Sequence, residues 1–186
     1  MQKQQVIAAG DRFLDKQELE LIAATKKGDR HAFQQLYERH SGRVYALCYR
    51  ITADQGLAED ATQEVFIQVW RKIGDFRAQS KFSTWLHSVA VNSTLAYMRK
   101  QKGWVSRFIS LEDDAVPEQS TEMSTDNLNL DRYIARLPER ARIVFVLRAV
   151  EGYRHEEIAS KLNMAVGTSK SQFYRAKSLL QGWLES

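Results

Sequence analysis

Residues 155–180 read HEEIASKLNMAVGTSKSQFYRAKSLL, the most informative segment for the fold of the C-terminal part of the chain. Ile158, Ala159 and Leu162 recur at helical spacing, which predicts a short helix with one apolar face. The small Ala159 allows a second helix to approach closely. A tight turn over 163–165 leads into that second helix, which begins near Val166. The pattern predicts a helix-turn-helix, the motif that places its second helix in the major groove of DNA.

The second helix of this motif is predicted to present a polar and basic face. Its members are Lys170, Ser171, Gln172, Tyr174, Arg175 and Lys177. Helical hairpins with basic faces also occur in proteins that bind no DNA, so the segment alone leaves both interpretations open.

The rest of the chain has the same helical character. Apolar residues at steps of three and four predict helices over 14–26, 33–51, 54–73, 84–100, 130–136 and 139–150. In the third of these, Ala61, Val65, Val69 and Ile73 line one face, and Asp54 is the expected N-cap. Two prolines and nine glycines in 186 residues leave few breaks for a multi-stranded protein. The sequence therefore predicts an all-α fold.

The distribution of charge along the chain indicates two basic segments separated by an acidic one. The 27 Lys and Arg residues and 23 Asp and Glu residues give a net charge of +4, but residues 111–131 hold seven acidic side chains and no basic one. We predict an N-terminal tail over 1–14, a helical domain over 15–110, a flexible acidic linker over 111–129 and a second helical domain over 130–186. Two basic domains indicate a protein that binds a polyanion, although ordinary domains with a solvated linker would give the same pattern.

The sequence offers little that indicates an enzyme. There is no glycine-rich phosphate loop, and His155-Glu156-Glu157 lacks the second histidine of a zinc-protease motif. The four histidines lack metal-ligand spacing, so we expect surface or capping roles for them. Cys48, the sole cysteine, is expected in the core. We predict no catalytic residue, metal, cofactor or small-molecule substrate. With no disulfide and no apolar run of about 20 residues, we expect a cytoplasmic protein.

Three stretches in order resemble a known family. Residues 32–51 read AFQQLYERHSGRVYALCYRI, residues 58–92 read AEDATQEVFIQVWRKIGDFRAQSKFSTWLHSVAVN, and residues 137–171 read LPERARIVFVLRAVEGYRHEEIASKLNMAVGTSKS. Together they resemble the sigma-70 family of bacterial RNA polymerase sigma factors. The likeness is to the extracytoplasmic-function (ECF) group, which keeps only region 2 and region 4. It covers about 15–110 and 128–184.

The resemblance implies partners for each domain. A sigma factor binds RNA polymerase core, through the β′ clamp coiled coil and the β flap, and directs it to the −10 and −35 elements of promoter DNA. In the predicted helix over 58–73, the residues largely off the apolar stripe would contact polymerase: Asp60, Gln63, Glu64 and Gln68. Members of the group are commonly held inactive by an anti-sigma factor, often membrane-anchored. The resemblance implies such a partner here, and with it possible retention at the inner membrane and a role in stress response.

The resemblance also assigns promoter contacts in region 2. The loop over 75–83 is similar to one that captures a base flipped out of the −10 element, which requires a shaped pocket. Phe76 and Phe82 would form its apolar walls. The remaining −10 contacts would be Arg77, Ser80, Lys81 and Asn92. Trp85 is expected to pack in the core rather than face DNA.

In region 4 the resemblance assigns −35 contacts to the recognition helix. They are Lys170, Ser171, Tyr174 and Arg175, with Arg148 holding a phosphate. Sequence does not separate base reading from phosphate pairing for Lys170 and Arg175. Ser169 replaces the usual Val, so we expect weaker packing of this helix against the first.

The sequence leaves two alternatives open. One is a stand-alone helix-turn-helix regulator with a helical sensor domain, which would bind duplex DNA as a dimer without polymerase. The other is a sigma-like decoy that binds a regulator without supporting transcription. The linker could mimic nucleic acid near the RNA path or stay solvated.

Overall fold

The computed structural model describes residues 16–101, 103 and 128–185, and within these ranges every regular element is helical. The predicted all-α fold is confirmed. The eight α-helices are α1 Lys16–Lys26, α2 Arg30–Thr52, α3 Gln55–Lys72, α4 Phe82–Lys100, α5 Leu128–Ala135, α6 Glu139–Phe145, α7 His155–Leu162 and α8 Val166–Leu184. None of the helices in this described part is long and apolar enough to span a membrane.

Aspartate caps fix the starts of the two long N-terminal helices. Asp29 Oδ1 accepts hydrogen bonds from the backbone N–H groups of His31 and Ala32 at the start of α2. Asp54 does the same for Leu57 at the start of α3, at 2.8 Å, which confirms the predicted cap. These bonds satisfy amides that have no partner inside the helix, and they set the direction in which each helix leaves its turn.

Helices α2 and α4 pack against the inner face of α3, and α1 packs on α2. The predicted apolar stripe of α3 is confirmed, since Ala61, Val65 and Val69 are almost completely buried. Cys48 is fully buried on α2, as expected. A short 3-10 turn over Ile73–Asp75 ends α3 and starts the loop that leads into α4.

Helices α5 to α8 form the C-terminal part. Helix α5 begins at Leu128, two residues before the predicted start, whereas the linker before it lies outside the described residues. Helix α6 continues as a π-helical turn over Val146–Val150. Helix α7 ends at Asn163, whose left-handed backbone (φ 51°) turns the chain sharply into α8. Asparagine tolerates this conformation better than most residues, which is why the tight turn of the predicted helix-turn-helix closes here.

The two helical parts contact each other, a point that the sequence left open. Arg142 of α6 is 5% exposed, and its guanidinium donates to the carbonyls of Ile51 and Thr52 at the C-terminus of α2, at 3.2 and 3.0 Å. The same group donates to the carbonyl of Leu137 at 3.0 Å, just beyond the end of α5. Terminal carbonyls of a helix have no partner within it, so one buried cation satisfies groups from both parts.

A second set of contacts joins α4 to the C-terminal part. His87 hydrogen-bonds Glu151 and stacks on Tyr153, and Lys161 lies over the same tyrosine ring. Arg50 at the end of α2 pairs with Asp131 of α5, with 2.8 Å between Nε and Oδ1. The described parts of the chain therefore form one closed arrangement.

Candidate polymerase and nucleic-acid interfaces

The recognition helix α8 separates a buried side from an exposed side. Ser169, Ala176 and Leu180 face the other helices and are at most 5% exposed. Lys170 and Ser171 are exposed, and Tyr174 is 68% exposed. Arg175 is half-buried beside them. The structure thus brings the four predicted −35 residues of α8 together on one side, and their contact with DNA remains a prediction.

Arg148 lies in the π-helical turn that precedes the helix-turn-helix. Its side chain is exposed, and Nη1 donates to the backbone carbonyl of Tyr153 at 3.1 Å. This bond holds the guanidinium against the loop between α6 and α7. A phosphate contact from this position remains a prediction, and it would use the other donors of the guanidinium.

Ser169 has a polar partner that the sequence did not indicate. Its hydroxyl lies 2.9 Å from Nδ1 of His155, the first residue of α7. Burial, followed by the charges of Arg148 and Lys170, holds the pKa of His155 below its ordinary value, and Glu156 opposes this. A neutral imidazole therefore joins the first helix of the motif to the first turn of the second.

His40 departs from the expectation of surface or capping roles, whereas His31 is exposed at the start of α2 as expected. His40 is 6% exposed and hydrogen-bonds Glu18 at 2.8 Å, because α1 folds across α2 at this point. His87 and His155 each hydrogen-bond a residue of a neighbouring element. Among the residues described, no cluster of His, Cys, Asp and Glu is arranged to hold a metal ion. Burial raises the pKa of Cys48, whose thiol lies 3.2 Å from Thr94 Oγ1.

The structure corrects the predicted role of two phenylalanines in the loop over 75–83. Phe76 and Phe82 are 3% and 2% exposed, so neither ring forms the wall of an open pocket. Their rings pack edge to face with centroids 5.5 Å apart, and both contact Trp85. Lys26 of α1 donates to the Phe76 carbonyl and holds the loop against the domain. Both rings are therefore core side chains that support the loop from beneath.

The exposed part of the loop carries the remaining −10 candidates. Arg77, Ser80 and Lys81 are exposed. Between them Ala78 has a φ of 54°, in the left-handed region that costs a side-chain-bearing residue about 1 kcal/mol. Backbone strain of this kind is often found at binding sites. Base capture by these residues remains a prediction.

Asn92, the last predicted −10 residue, lies at the junction of the two helical parts. Its side-chain oxygen accepts a hydrogen bond of 2.7 Å from Lys161 Nζ of α7. Two turns further along α4 the helix makes a second contact with α7, because Arg99 donates to the Lys161 carbonyl at 3.2 Å. In this arrangement the amide oxygen of Asn92 is engaged by the C-terminal part.

The outer face of α3 carries the four predicted polymerase contacts. Asp60 and Gln63 are exposed, and Glu64 and Gln68 are half-buried and joined by a 2.8 Å hydrogen bond. The hydroxyl of Tyr97 donates to Asp60 at 2.9 Å. The face is open to solvent, and contact with polymerase remains a prediction.

Sequence reasoning missed the apolar part of this face. Ile67 is 45% exposed and Trp70 is 36% exposed, on the same helix as Gln63 and Glu64. Tyr37 of α2, 40% exposed, packs against Phe66 nearby. Large apolar side chains that fall off the buried i, i+4 stripe were the available signal. A cluster of this kind on a surface indicates a protein-binding site.

Comparison with known proteins identifies the family of this chain. The family described as Sigma-70 region 2 matches residues 36–103, and the one described as Sigma-70, region 4 matches residues 127–180. The ECF RNA polymerase sigma factor SigW of Bacillus subtilis is 31% identical, over 86% of this chain and 92% of that protein. The ECF RNA polymerase sigma-E factor of Escherichia coli K12 is 32% identical, over 86% of this chain and 90% of that protein.

A solved structure shares the fold. The sigma factor RpoE from Bartonella quintana, solved with the anti-sigma factor NepR, superposes with a TM-score of 0.52 at 23% identity. The match covers 82% of this chain and 96% of that chain.

The two family matches and the long alignments with ECF sigma factors rule out a stand-alone helix-turn-helix regulator. Sigma factors are transcription initiation factors rather than enzymes, in agreement with the sequence prediction. The chain belongs to the extracytoplasmic-function group of sigma-70 family RNA polymerase sigma factors, which bind core polymerase and direct it to promoters.

Proposed function

We propose that this sigma factor uses three separate surfaces to bind its partners. The outer face of α3 binds core polymerase, the loop over 75–83 with Asn92 binds the −10 element, and α8 binds the −35 element. The domain division at 15–110 and 130–186 belongs to the same proposal. The observation that carries it is the outer face of α3, where apolar and polar side chains stand together in solvent.

The core-binding surface has the composition of a protein interface. Ile67 and Trp70 supply an exposed apolar centre, and Gln63 and Glu64 supply polar groups beside it. Interfaces gain most of their free energy from a few buried aromatic or large apolar anchors, with polar groups at the rim. The β′ clamp coiled coil is the proposed partner for this face, and the β flap is the proposed partner for region 4.

The −10 surface is proposed in a revised form. Arg77, Ser80 and Lys81 meet the flipped base and its backbone, while Phe76 and Phe82 hold the loop in place from inside the domain. Asn92 reads a base edge on the adjoining face of α4. Unstacking a base costs a few kcal/mol, so the loop must contribute several contacts at once.

The closed arrangement bears on the −10 surface. The Asn92 side chain is hydrogen-bonded to Lys161, and His87 is hydrogen-bonded to Glu151. We therefore propose that the two domains separate before the −10 element binds, and that polymerase binding drives this separation. The two exposed ties between α4 and α7, made by Asn92 and by Arg99 with Lys161, are worth little individually, about 0–1 kcal/mol each. The binding energy of core polymerase can exceed them.

The proposal also includes location and control. The chain works in the cytoplasm, where core polymerase and DNA are found. An anti-sigma factor, the class of partner seen with RpoE of Bartonella quintana, holds it inactive, and an anchored partner would retain it at the inner membrane. Membership of the ECF group supports this partner.

Reconstituted transcription tests the proposed function. Purified chain and bacterial core polymerase are added to a genomic fragment library, and transcript starts are sequenced. Discrete starts that share two upstream motifs and require this chain are expected. Loss of promoter-dependent transcription with binding to a regulator retained would instead indicate a decoy.

A charge-reversal pair tests the core-binding face. Gln63→Lys with Glu64→Lys is expected to weaken core binding about 100-fold, because like charges and unpaired polar groups at an interface cost several kcal/mol. The matched control is Gln17→Lys with Glu20→Lys on α1, which makes the same change in charge at exposed positions. Equal affinity of the two double variants, with both folded, would overturn the assignment.

A further inference from the structure

Ser169 places a hydroxyl group at a packed position that usually holds an apolar side chain. It is 0% exposed in the first turn of α8, where the recognition helix packs on the rest of the motif. Its hydroxyl is nevertheless satisfied, because His155 Nδ1 lies 2.9 Å away. An apolar contact is non-directional, whereas a hydrogen bond requires one distance and one orientation. The pair therefore restricts how α8 can rotate about its own axis.

His155 contacts α8 at a second point, one turn further on. Its ring lies edge to face on Phe173, with centroids 5.7 Å apart. Phe173 in turn stacks on Phe145 of α6, at 5.9 Å. Contacts with residues 169 and 173 lie on one side of the helix, because residues four apart share a face. One imidazole thus fixes both the rotation and the position of α8 along its axis.

These two contact points alternate with the proposed DNA contacts. Lys170 and Ser171 follow Ser169 directly, and Tyr174 follows Phe173. A rotation of α8 that breaks the Ser169 contact would carry those side chains away from their present positions. Readout of a base edge depends on hydrogen-bond geometry, so a small rotation affects discrimination between bases more than it affects attraction to phosphates.

The protonation state of His155 is compatible with its hydrogen bond to Ser169. Burial and the neighbouring charges of Arg148 and Lys170 lower its pKa, with Glu156 acting in the opposite direction. The ring is therefore neutral near neutral pH and has one donor and one acceptor nitrogen. Either nitrogen state at Nδ1 can bond a hydroxyl, because a hydroxyl both donates and accepts.

We propose that His155 and Ser169 are positioning residues for −35 recognition, which orient the first turn of α8 through their hydrogen bond. Neither residue needs to touch DNA for this role. The inference rests on the proposed function of α8 and adds the two residues that set its base discrimination.

The test compares holoenzymes on two templates that differ only in the −35 element. One template carries an intact promoter found by transcript mapping, and the other carries base substitutions in its −35 motif. The measured quantity is the initial transcription rate on the intact template divided by the rate on the substituted template. Ser169→Ala and His155→Phe are each expected to lower this ratio about fivefold, the effect of one typical hydrogen bond. Ser169→Thr, which keeps the hydroxyl, is expected to stay within about twofold of the unmodified chain.

The double variant and a stability measurement separate positioning from folding. His155→Phe with Ser169→Ala is expected to lower the ratio no further than the worse single variant, because both changes break one bond. Urea unfolding and core binding are measured on every variant. A ratio unchanged in both single variants would overturn the proposal. A fall in both rates by one common factor that matches the loss of folded protein would also overturn it, since the pair would then serve stability alone.

Failure of the proposed function gives a different result. In that case the unmodified chain itself would show equal rates on the two templates. A chain that discriminates between the templates, together with single variants that discriminate equally well, would reject only the positioning role.

Discussion

The recognition helix α8 and the Asn92 face of α4 are both proposed to read promoter DNA, but they meet the rest of the molecule differently. Lys170, Ser171 and Tyr174 are exposed on α8. On α4 the side chain of Asn92 is bonded to Lys161 of the other domain. The −35 surface is therefore presented in the closed arrangement, whereas the Asn92 part of the −10 surface is shared with region 4. Domain contact can control one reading surface and leave the other unchanged.

The largest expected effect tests the base of the −10 surface. Phe82→Ala should lower the free energy of unfolding by about 3–5 kcal/mol, because it removes a large, fully buried ring. Urea unfolding in the absence of DNA measures this change. The neighbouring exposed Lys81→Ala is the control and should change stability by less than about 0.5 kcal/mol. A stable Phe82→Ala protein that has lost −10 binding would restore the ring as a wall of the base pocket.

The second expected effect breaks the closed arrangement itself. Arg142→Met should cost about 3 kcal/mol, because carbonyls of both domains lose a charged, buried donor. We also expect the single unfolding transition to split in two as the domains become independent. Arg132→Met, an exposed position on α5, is the control. An unchanged single transition in the Arg142 variant would mean that the guanidinium does not couple the domains.

Local features of the fold follow from the sequence, whereas contacts between distant segments do not. The Asp54 cap, the inner stripe of α3 and the tight turn at Asn163 are local, so spacing and residue type predicted them. The backbone carbonyl of Phe76 accepts a hydrogen bond from Lys26, 50 residues away, which ties the loop to α1. The contacts of Arg142 with Ile51 and Thr52 join segments about 90 residues apart. The spacing of apolar residues along the sequence does not predict contacts between such distant segments.

The third prediction concerns the open surface. Arg175→Ala should weaken binding to the −35 element by about 1–3 kcal/mol if the guanidinium reads a base. Holoenzyme binding to promoters with single −35 substitutions measures this change. An equal loss on every sequence would identify Arg175 as a phosphate contact instead, and α8 would then read fewer bases than we propose.

The smallest expected effect is a pH dependence in region 4. Because the pKa of folded His155 lies below its ordinary value of 6.5, the unfolded chain binds this proton more readily than the folded chain does. The stability it contributes is complete above about pH 6.5 and is lost as the pH falls toward the folded pKa. Urea midpoints should therefore fall less between pH 7 and pH 5 in His155→Phe than in the unmodified chain. Parallel midpoints in the two proteins would contradict the shifted pKa.

A reversible cross-link between the domains tests whether they separate before the −10 element binds. Cysteines at positions 50 and 131 replace the Arg50–Asp131 pair, whose atoms lie 2.8 Å apart, and a short reducible linker joins them. Cys48 is buried and should not react. The cross-linked holoenzyme should fail to melt the −10 region, and reduction of the linker should restore initiation to the rate of the unlinked double variant. Equal initiation rates with the linker intact and reduced would contradict the claim.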